Sequence, residues 1–275
     1  MKIGNLILFN SLETIEEKFK IQNNSGFNSC QLCCWNMSFL TDEVAEFIKA
    51  LCKKYNVEIS AFWCGWSGPA VWNFYDGPKT LGLVPAEYRE MRVKELMLGC
   101  DFAEKIGVTD IATHMGFIPE DPNDPNFKPF CDAVRAVAEY AKSKNLWLLF
   151  ETGQETPTAM LRCFEEVGTD NLGVNLDTAN LILYGKANPV DALDVFGKYV
   201  RNLHAKDGCY PTNGKELGRE TKIGEGKVDF KALFKKLKEL GYDSDVTIER
   251  EIGGEQQLID VNESKKYLEK MIEEA

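Results

Sequence analysis

Short apolar runs alternate with amphipathic stretches along the whole chain, and this alternation is the strongest constraint on its fold. Each run has the length and composition of a buried strand, and the intervening stretches have the periodicity of helices. The eight apolar runs begin at Ile3, Ser29, Val57, Val108, Leu146, Leu172, Val200 and Asp245.

The amphipathic stretches also carry start and stop signals for helices. Thr41 and Asp229 stand where N-caps are expected, and Pro189 falls in a first turn, where its missing N–H costs little. Gly107 and Gly241 follow the last apolar positions of two stretches, as C-terminal glycines do. The predicted helices include residues 41–55, 86–107, 188–199, 228–242 and 255–274.

Eight strand–helix alternations within 275 residues match a (β/α)₈ barrel (TIM barrel) in both count and size. No linker composition or charge block divides the chain, so we predict a single domain over residues 1–275. The competing fold is a doubly wound open sheet, but the glycine-rich dinucleotide turn typical of that fold is absent. A barrel would place the chemistry at the carboxyl ends of its strands.

Composition narrows the possible partners and the compartment. A net charge of −11 disfavours nucleic-acid binding, which needs a basic surface. No apolar segment approaches the roughly 18 residues of a membrane helix, and the N-terminus does not resemble a signal peptide. Nine cysteines is an odd number, so we expect a reducing cytoplasm. Cys30, Cys33 and Cys34 lack a second ligand pair for zinc and are predicted to be buried thiols.

Ionisable residues end five successive predicted strands, and in a closed barrel they would converge on one cavity. These residues are His114, Glu151, Asp177, His204 and Glu249. A single carboxylate at a strand end is ordinarily solvated or a helix cap, but several together repel one another unless a cation binds them. The predicted ligands of one divalent metal ion are Glu151, Asp177, His204 and Glu249. This oxygen-rich set favours Mn²⁺, with Mg²⁺, Co²⁺ or Zn²⁺ as alternatives, and an acceptor should fix the other ring nitrogen of His204.

Five motifs resemble the xylose-isomerase-like TIM-barrel superfamily, which includes sugar isomerases, ketose 3-epimerases, inosose dehydratases and the abasic-site endonucleases of the AP endonuclease family 2 type. The motifs are FETG (150–153), NLDTANL (175–181), NLHAKDG (202–208), IGEGKVDF (223–230) and TIERE (247–251). They are specific for the superfamily but poor guides to the reaction. The resemblance implies the same four metal ligands, and it implies that Glu151 and Glu249 are the acid/base pair. Lys206 lies in the motif NLHAKDG and matches a lysine that the superfamily has at this strand end. The resemblance implies that Lys206 contacts substrate, and the alternative is a solvated loop lysine.

Two departures from the superfamily pattern limit what the resemblance implies. Asn180 stands where many members have a histidine, and an amide can bind a substrate hydroxyl but is a poor cation ligand. The endonucleases need several histidines for a three-metal cluster, which a chain with two histidines cannot supply.

Aromatic residues cluster around the end of the third predicted strand. Trp63, Trp66, Trp72, Phe74 and Tyr75 lie in or beside a long loop that could form a lid or wall over the barrel mouth. A satellite hydrophobic cluster or a subunit contact is the alternative. The other residues predicted to contact substrate are Trp35, Phe117 and Arg219. No glycine-rich phosphate loop precedes a helix, so an obligatory sugar phosphate is not expected.

The function predicted from these features is metal-dependent isomerisation or epimerisation of a small sugar-like polyhydroxy carbonyl compound through an enediolate. A lyase on the same scaffold, a dehydratase or 3-keto-glycoside eliminase, is the alternative, with His114 as general acid. A third hypothesis is a barrel that binds sugar without catalysis. A homo-oligomer is compatible with the superfamily.

Overall fold

Eight parallel strands close into a barrel, in the spatial order β1-β10-β7-β6-β5-β4-β3-β2. The computed structural model describes all 275 residues. The barrel strands are β1 (Lys2–Phe9), β2 (Ser29–Cys34), β3 (Glu58–Cys64), β4 (Asp110–Thr113), β5 (Trp147–Glu151), β6 (Leu172–Asp177), β7 (Val200–Ala205) and β10 (Asp245–Ile248). Each strand falls within one predicted apolar run or overlaps most of it, and the (β/α)₈ prediction is confirmed.

Helices surround the barrel, and the predicted caps are present. The side chain of Thr41 accepts from the Val44 amide, and Gly107 ends its helix with φ of 84°. The helices are α1 (Leu12–Asn24), α2 (Asp42–Tyr55), α3 (Gly77–Thr80), α4 (Ala86–Ile106), α5 (Phe127–Ser143), α6 (Pro157–Val167), α7 (Asn180–Leu183), α8 (Pro189–Phe196), α9 (Phe230–Glu239) and α10 (Glu255–Glu274). None of them combines the length and the apolar character that crossing a bilayer demands.

A small antiparallel hairpin follows β7 and was not predicted from the sequence. It pairs β8 (Asp207–Cys209) with β9 (Arg219–Thr221). The buried carboxylate of Asp207 accepts hydrogen bonds from the amides of Gly224, Gly226 and Val228 at 2.9, 2.9 and 3.1 Å. This one side chain therefore ties the polar segment after the hairpin to the end of β7.

The strand register shifts at two places, and both shifts affect the barrel interior. One lies between Cys30 and Gln31, and the other between Val174 and Asn175. Bulges of this kind redirect side chains. Beyond the shifts, Gln31 Nε2 donates to Asn175 Oδ1 at 3.0 Å, although β2 and β6 are not neighbours in the sheet.

The amino-terminal end of the barrel contains a partly buried ion pair. Arg201 Nε lies 2.7 Å from Asp110 Oδ1, and Asn202 Nδ2 donates to the other carboxylate oxygen at 3.2 Å. The Arg201 guanidinium also lies 4.0 Å from the ring centroid of Trp147. All nine cysteines are free thiols, and Cys30, Cys33 and Cys34 are buried as predicted.

Candidate functional site

Four side chains from the carboxyl ends of successive strands converge at one point. His204 Nδ1 lies 3.0 Å from Glu249 Oε2, 3.2 Å from Glu151 Oε1 and 3.9 Å from Asp177 Oδ2. One possible ligand atom from each of the four residues lies within 4.8 Å of all the others. The barrel therefore brings together the predicted metal ligands, although they span nearly a hundred positions of the chain.

Burial makes the negative charges of this cluster energetically unfavourable unless positive groups compensate them. Glu151, Asp177 and His204 are buried, and the Glu249 side chain is 12% exposed. Burial raises the pKa of Asp177 well above its usual value, and the carboxylates of Glu249 and Glu151 add to that effect. Burial alone lowers the pKa of His204, but Glu151 and Glu249 outweigh it and hold that pKa well above its usual value. Three carboxylates thus share one imidazole as a close cationic partner, together with Lys206 at a greater distance.

Two carboxylate oxygens in the cluster have no hydrogen-bond partner, and this fits a cation. Asp177 Oδ1 accepts from the amides of Ala179 and Asn180 at 2.9 and 2.7 Å, whereas its Oδ2 is unpartnered. Glu249 Oε2 is unpartnered as well, apart from its ionic contacts. Buried polar atoms are almost always satisfied, so the unpartnered oxygens are compatible with a bound cation. Three carboxylates and one imidazole are suitable donors for Mn²⁺ or Mg²⁺.

A hydrogen-bond chain fixes the orientation of His204. Its Nε2 lies 2.5 Å from Oε1 of the buried Gln31, whose amide nitrogen in turn donates to Asn175 Oδ1. Because Gln31 presents an oxygen, Nε2 carries a proton, and Nδ1, which faces the carboxylates, is the nitrogen that would give up its proton to bind a metal ion. The expected acceptor behind the histidine is therefore present, and it is Gln31, which the sequence did not identify.

Glu151 is oriented by an indole as well as by the histidine. Trp63 Nε1 donates to Glu151 Oε2, and Asn180 Nδ2 lies 3.4 Å from Oε1. His114 Nε2 is 3.7 Å from the same Oε1, and burial lowers the pKa of His114 despite the neighbouring carboxylate. Trp63 was predicted as an apolar wall residue, but its N–H also holds one of the two proposed acid/base groups.

Lys206 is buried beside the cluster, which excludes the solvated-lysine alternative. Its side chain is 1% exposed, and Nζ lies 2.8 Å from Glu251 Oε1, 3.6 Å from Glu249 Oε2 and 3.8 Å from Asp177 Oδ2. Asn180 Oδ1 accepts from the same ammonium at 3.3 Å. Lys206 thus balances part of the negative charge, and Glu251 is a further acidic neighbour that the sequence analysis missed, although it lies two residues beyond Glu249.

A cavity of about 440 Å³ opens onto the cluster. Its aromatic side is formed by Trp35, Trp63 and Trp72, with ring centroids 5.0 Å apart for Trp35–Trp63 and 6.2 Å apart for Trp35–Trp72. Its other side is polar, and His114 Nδ1 and the side-chain amide of Gln154 have no hydrogen-bond partner in the protein. The sequence analysis missed several lining residues, which include Leu6, Cys33, Gln154, Tyr184 and Leu217.

Four of the residues predicted to contact substrate do not line this cavity, and one of them is Lys206, which lies beside the acidic cluster. Trp66 is buried behind Trp35, with the Arg92 guanidinium 4.1 Å from its ring centroid, so it supports the wall from behind. Phe117 packs edge-on against Tyr184 at 5.7 Å, one layer outside the lining. Arg219 is exposed on β9 and lies outside the lining residues.

Known proteins share both the sequence pattern and the architecture. The family model described as xylose isomerase-like TIM barrel matches residues 19–271. A xylose isomerase domain protein from Planctomyces limnophilus is 30% identical with a TM-score of 0.91, covering 98% of this chain and 96% of that protein. A D-tagatose 3-epimerase-like protein is 23% identical with a TM-score of 0.74, covering 99% and 97%. An inosose dehydratase of Lacticaseibacillus casei is 27% identical over 147 residues, which are 46% of this chain and 48% of that protein. The chain therefore belongs to the xylose isomerase-like TIM barrel family.

Proposed function

We propose that the protein is a divalent-metal-dependent isomerase or epimerase of a sugar-like polyhydroxy carbonyl compound. The observation that carries this proposal is the pair of glutamates, Glu151 and Glu249, that flank His204 Nδ1 at the floor of the cavity. Similarity to sugar-processing proteins supports the substrate class.

The ion would be held by Glu151, Asp177, His204 and Glu249. When bound there, it supplies Lewis-acid polarisation of a substrate carbonyl and acidifies the neighbouring carbon-bound proton. We propose Mn²⁺, with Mg²⁺, Co²⁺ and Zn²⁺ as alternatives. A rise in Tm with at least one of these ions supports a resident metal, and no rise with any of them would favour the hypothesis of a non-catalytic sugar-binding barrel.

The protein side chains supply the proton transfers and the orientation. One of Glu151 and Glu249 removes the proton next to the carbonyl, which gives an enediolate, and the other returns a proton to the opposite face. Asn180 and Gln154 present amides to substrate hydroxyls. Trp35 and Trp72 exclude water and provide faces on which the apolar side of a sugar can pack.

Isotope exchange tests this proposal directly. Purified protein with Mn²⁺ is incubated with a panel of ketoses in D₂O, and NMR follows deuterium entering at the carbon next to the carbonyl. Glu249→Gln is expected to lower the exchange rate about 10²- to 10⁴-fold, because a neutral amide cannot accept the proton. Glu43→Gln, on the exposed face of α2, is the matched control and should exchange like the wild type. Exchange by Glu249→Gln at the wild-type rate would remove the proton-transfer role.

A lyase remains the second candidate, because His114 lies in the cavity with an unpartnered Nδ1 and because of the similarity to inosose dehydratase. In that reaction the same enediolate would expel a β-substituent, with His114 as the general acid. An unsaturated product in the same NMR spectra would favour the lyase, and its loss in His114→Asn with retained exchange would assign the acid. A small carbohydrate as the partner, a cytoplasmic location and a homo-oligomer stay predictions from the sequence.

A further inference from the structure

The rim around the candidate site is uneven. On one side the loop after β3 carries Trp66 and Trp72 and forms a high aromatic wall. At β1, which is separated from β3 only by β2 in the closed sheet, two residues, Asn10 and Ser11, connect the strand to α1. Such a short connection leaves no loop to cover the site above β1.

A second cavity of about 750 Å³ extends through this low side, between α1 and α10, and we name it the side groove. It is contiguous with the candidate site. The lining residues that the two cavities share are Leu6, Cys33, Trp35, Glu249 and Glu251. The first cavity alone is already large enough for one small ligand, so the side groove is additional space rather than part of a monosaccharide pocket.

The side groove presents apolar side chains to solvent. Leu8 and Leu258 are each 41% exposed, and Leu6 and Ile252 are partly buried beside them. Large apolar side chains clustered in a concave surface mark a binding region more often than isolated ones do. The groove is therefore suited to an apolar group.

The charges in the side groove disfavour an anionic ligand. The Lys18 ammonium donates to the Leu8 carbonyl at 2.6 Å and to Asn10 Oδ1 at 3.3 Å. Arg250 forms ion pairs with Glu220 at 3.0 Å and Asp260 at 2.8 Å. Arg250 is thus paired with two carboxylates, whereas Lys18 contacts only neutral oxygens beside Leu8. The carboxylates of Glu249 and Glu251, which Lys206 balances only in part at 3.6 and 2.8 Å, lie at the junction of the two cavities, where a phosphate or carboxylate would meet like charge.

We propose that the physiological substrate is an extended, uncharged sugar conjugate. Its polyhydroxy carbonyl part occupies the first cavity, and an aryl or alkyl substituent lies in the side groove along Leu6, Leu8, Ile252 and Leu258. The position of the sugar part rests on the proposed function, whereas the presence and the character of the groove do not.

Binding of unreactive probes tests this proposal. Isothermal titration calorimetry with Mn²⁺-supplemented protein compares methyl and phenyl glycosides of glucose, galactose and mannose, both anomers of each, with phenol alone as a reference. At least one phenyl glycoside is expected to bind about tenfold more tightly than its methyl counterpart, because the ring leaves water for the groove. If no phenyl glycoside in the panel binds more tightly than its methyl counterpart, the proposal is overturned.

Substitutions in the side groove test whether the phenyl ring binds there. Leu8→Ser and Leu258→Ser, both at exposed positions, should reduce the phenyl preference to less than about threefold and leave the affinity for the methyl glycoside unchanged. Leu98→Ser, at an exposed leucine of α4, is the matched control and should keep the full preference. An undiminished preference in both groove variants would place the phenyl ring elsewhere and reject the side groove.

Further results distinguish the proposed groove from a contact between two copies of the chain and from the proposed reaction. A dimer in light scattering that Leu258→Ser dissociates, together with an absent phenyl preference, would identify the groove as a contact between copies and overturn the proposal. Failure of the deuterium exchange with a retained phenyl preference would refute the proposed reaction but not the groove. Exchange on free ketoses without any phenyl preference would refute the groove alone.

Discussion

The two ends of this barrel both bury carboxylates, but they satisfy them differently. At the amino-terminal end, both oxygens of Asp110 are engaged, one with Arg201 and the other with Asn202. At the carboxyl end, three carboxylates share His204 and Lys206 as cationic partners, and Asp177 Oδ2 has no hydrogen-bond partner. The first arrangement compensates its carboxylate within the protein, whereas the second has the donor set that a divalent cation could bind. The comparison predicts that Asp110 serves stability and that Asp177 and Glu249 serve the proposed chemistry.

Asp177→Asn is expected to give the largest difference between the stability of the metal-free protein and its response to Mn²⁺. The substitution removes a charge from the crowded end, so the metal-free protein should be at least as stable as the wild type. The rise in Tm with Mn²⁺ should nearly disappear, since the amide is a poor ligand. Thermal scans with EDTA and with Mn²⁺ measure both effects, and a Mn²⁺-induced rise equal to that of the wild type would exclude Asp177 from the metal site.

Gln31→Met tests the support behind the metal site, because it keeps all four proposed ligands. It removes the acceptor behind His204 while roughly conserving side-chain volume. Loss of such a supporting hydrogen bond typically lowers metal affinity about 10- to 100-fold. Competition titration with a chelating dye measures the change, and unchanged affinity would show that packing alone orients the imidazole.

Asp110→Asn tests the opposite end. It weakens a partly buried ion pair and should lower the free energy of unfolding by about 1–3 kcal/mol, as measured by urea denaturation. Deuterium exchange and the Tm gain with Mn²⁺ should stay at wild-type levels. A loss of exchange activity in a folded variant would contradict the division of roles between the two ends.

Glu155 offers a separate test that does not involve the two ends of the barrel, through the pH dependence of stability. Burial raises the pKa of this carboxyl group to about 8, and the Gly153 amide donates to it at 3.3 Å. Between pH 4.5 and 8 the unfolded chain loses this proton while the folded protein keeps it, so the group lowers stability as pH rises, by up to about 1.4 kcal/mol per unit. Glu155→Gln should therefore gain Tm relative to the wild type from pH 5 to pH 8. A Tm difference independent of pH would show that Glu155 ionises normally.

The sequence predicted the fold and the four converging ligands because both depend on local patterns. Alternation of apolar runs gives the strand count, and strand ends are visible where such a run stops at a polar residue. Gln31 and Trp63 could not be assigned in this way, since they lie inside strands and their partners depend on register shifts and on curvature across the closed barrel. The β8–β9 hairpin escaped prediction because its strands are three residues long and lack apolar alternation.

The aromatic residues show a second limit of sequence patterns. Trp66 and Trp72 lie six positions apart in one loop, yet one is buried against Arg92 and the other lines the cavity. Composition predicts an aromatic cluster, but only the path of the backbone decides which ring faces the ligand. Arg219 illustrates the same point for charge, since a cation after β7 can point to the cavity or to solvent according to the twist of a short hairpin.

The two-residue connection between Phe9 and Leu12 leaves the side groove open, so under the proposed function its length would decide which substrates enter. Inserting a few residues there would roof over the low side of the barrel mouth while leaving every ligand and proton-transfer group in place. Relatives that differ in this single connection could divide bulky conjugates and free sugars between them without any change in their chemistry. Changing the loop length at this position is thus a simple way to engineer the substrate preference of the barrel.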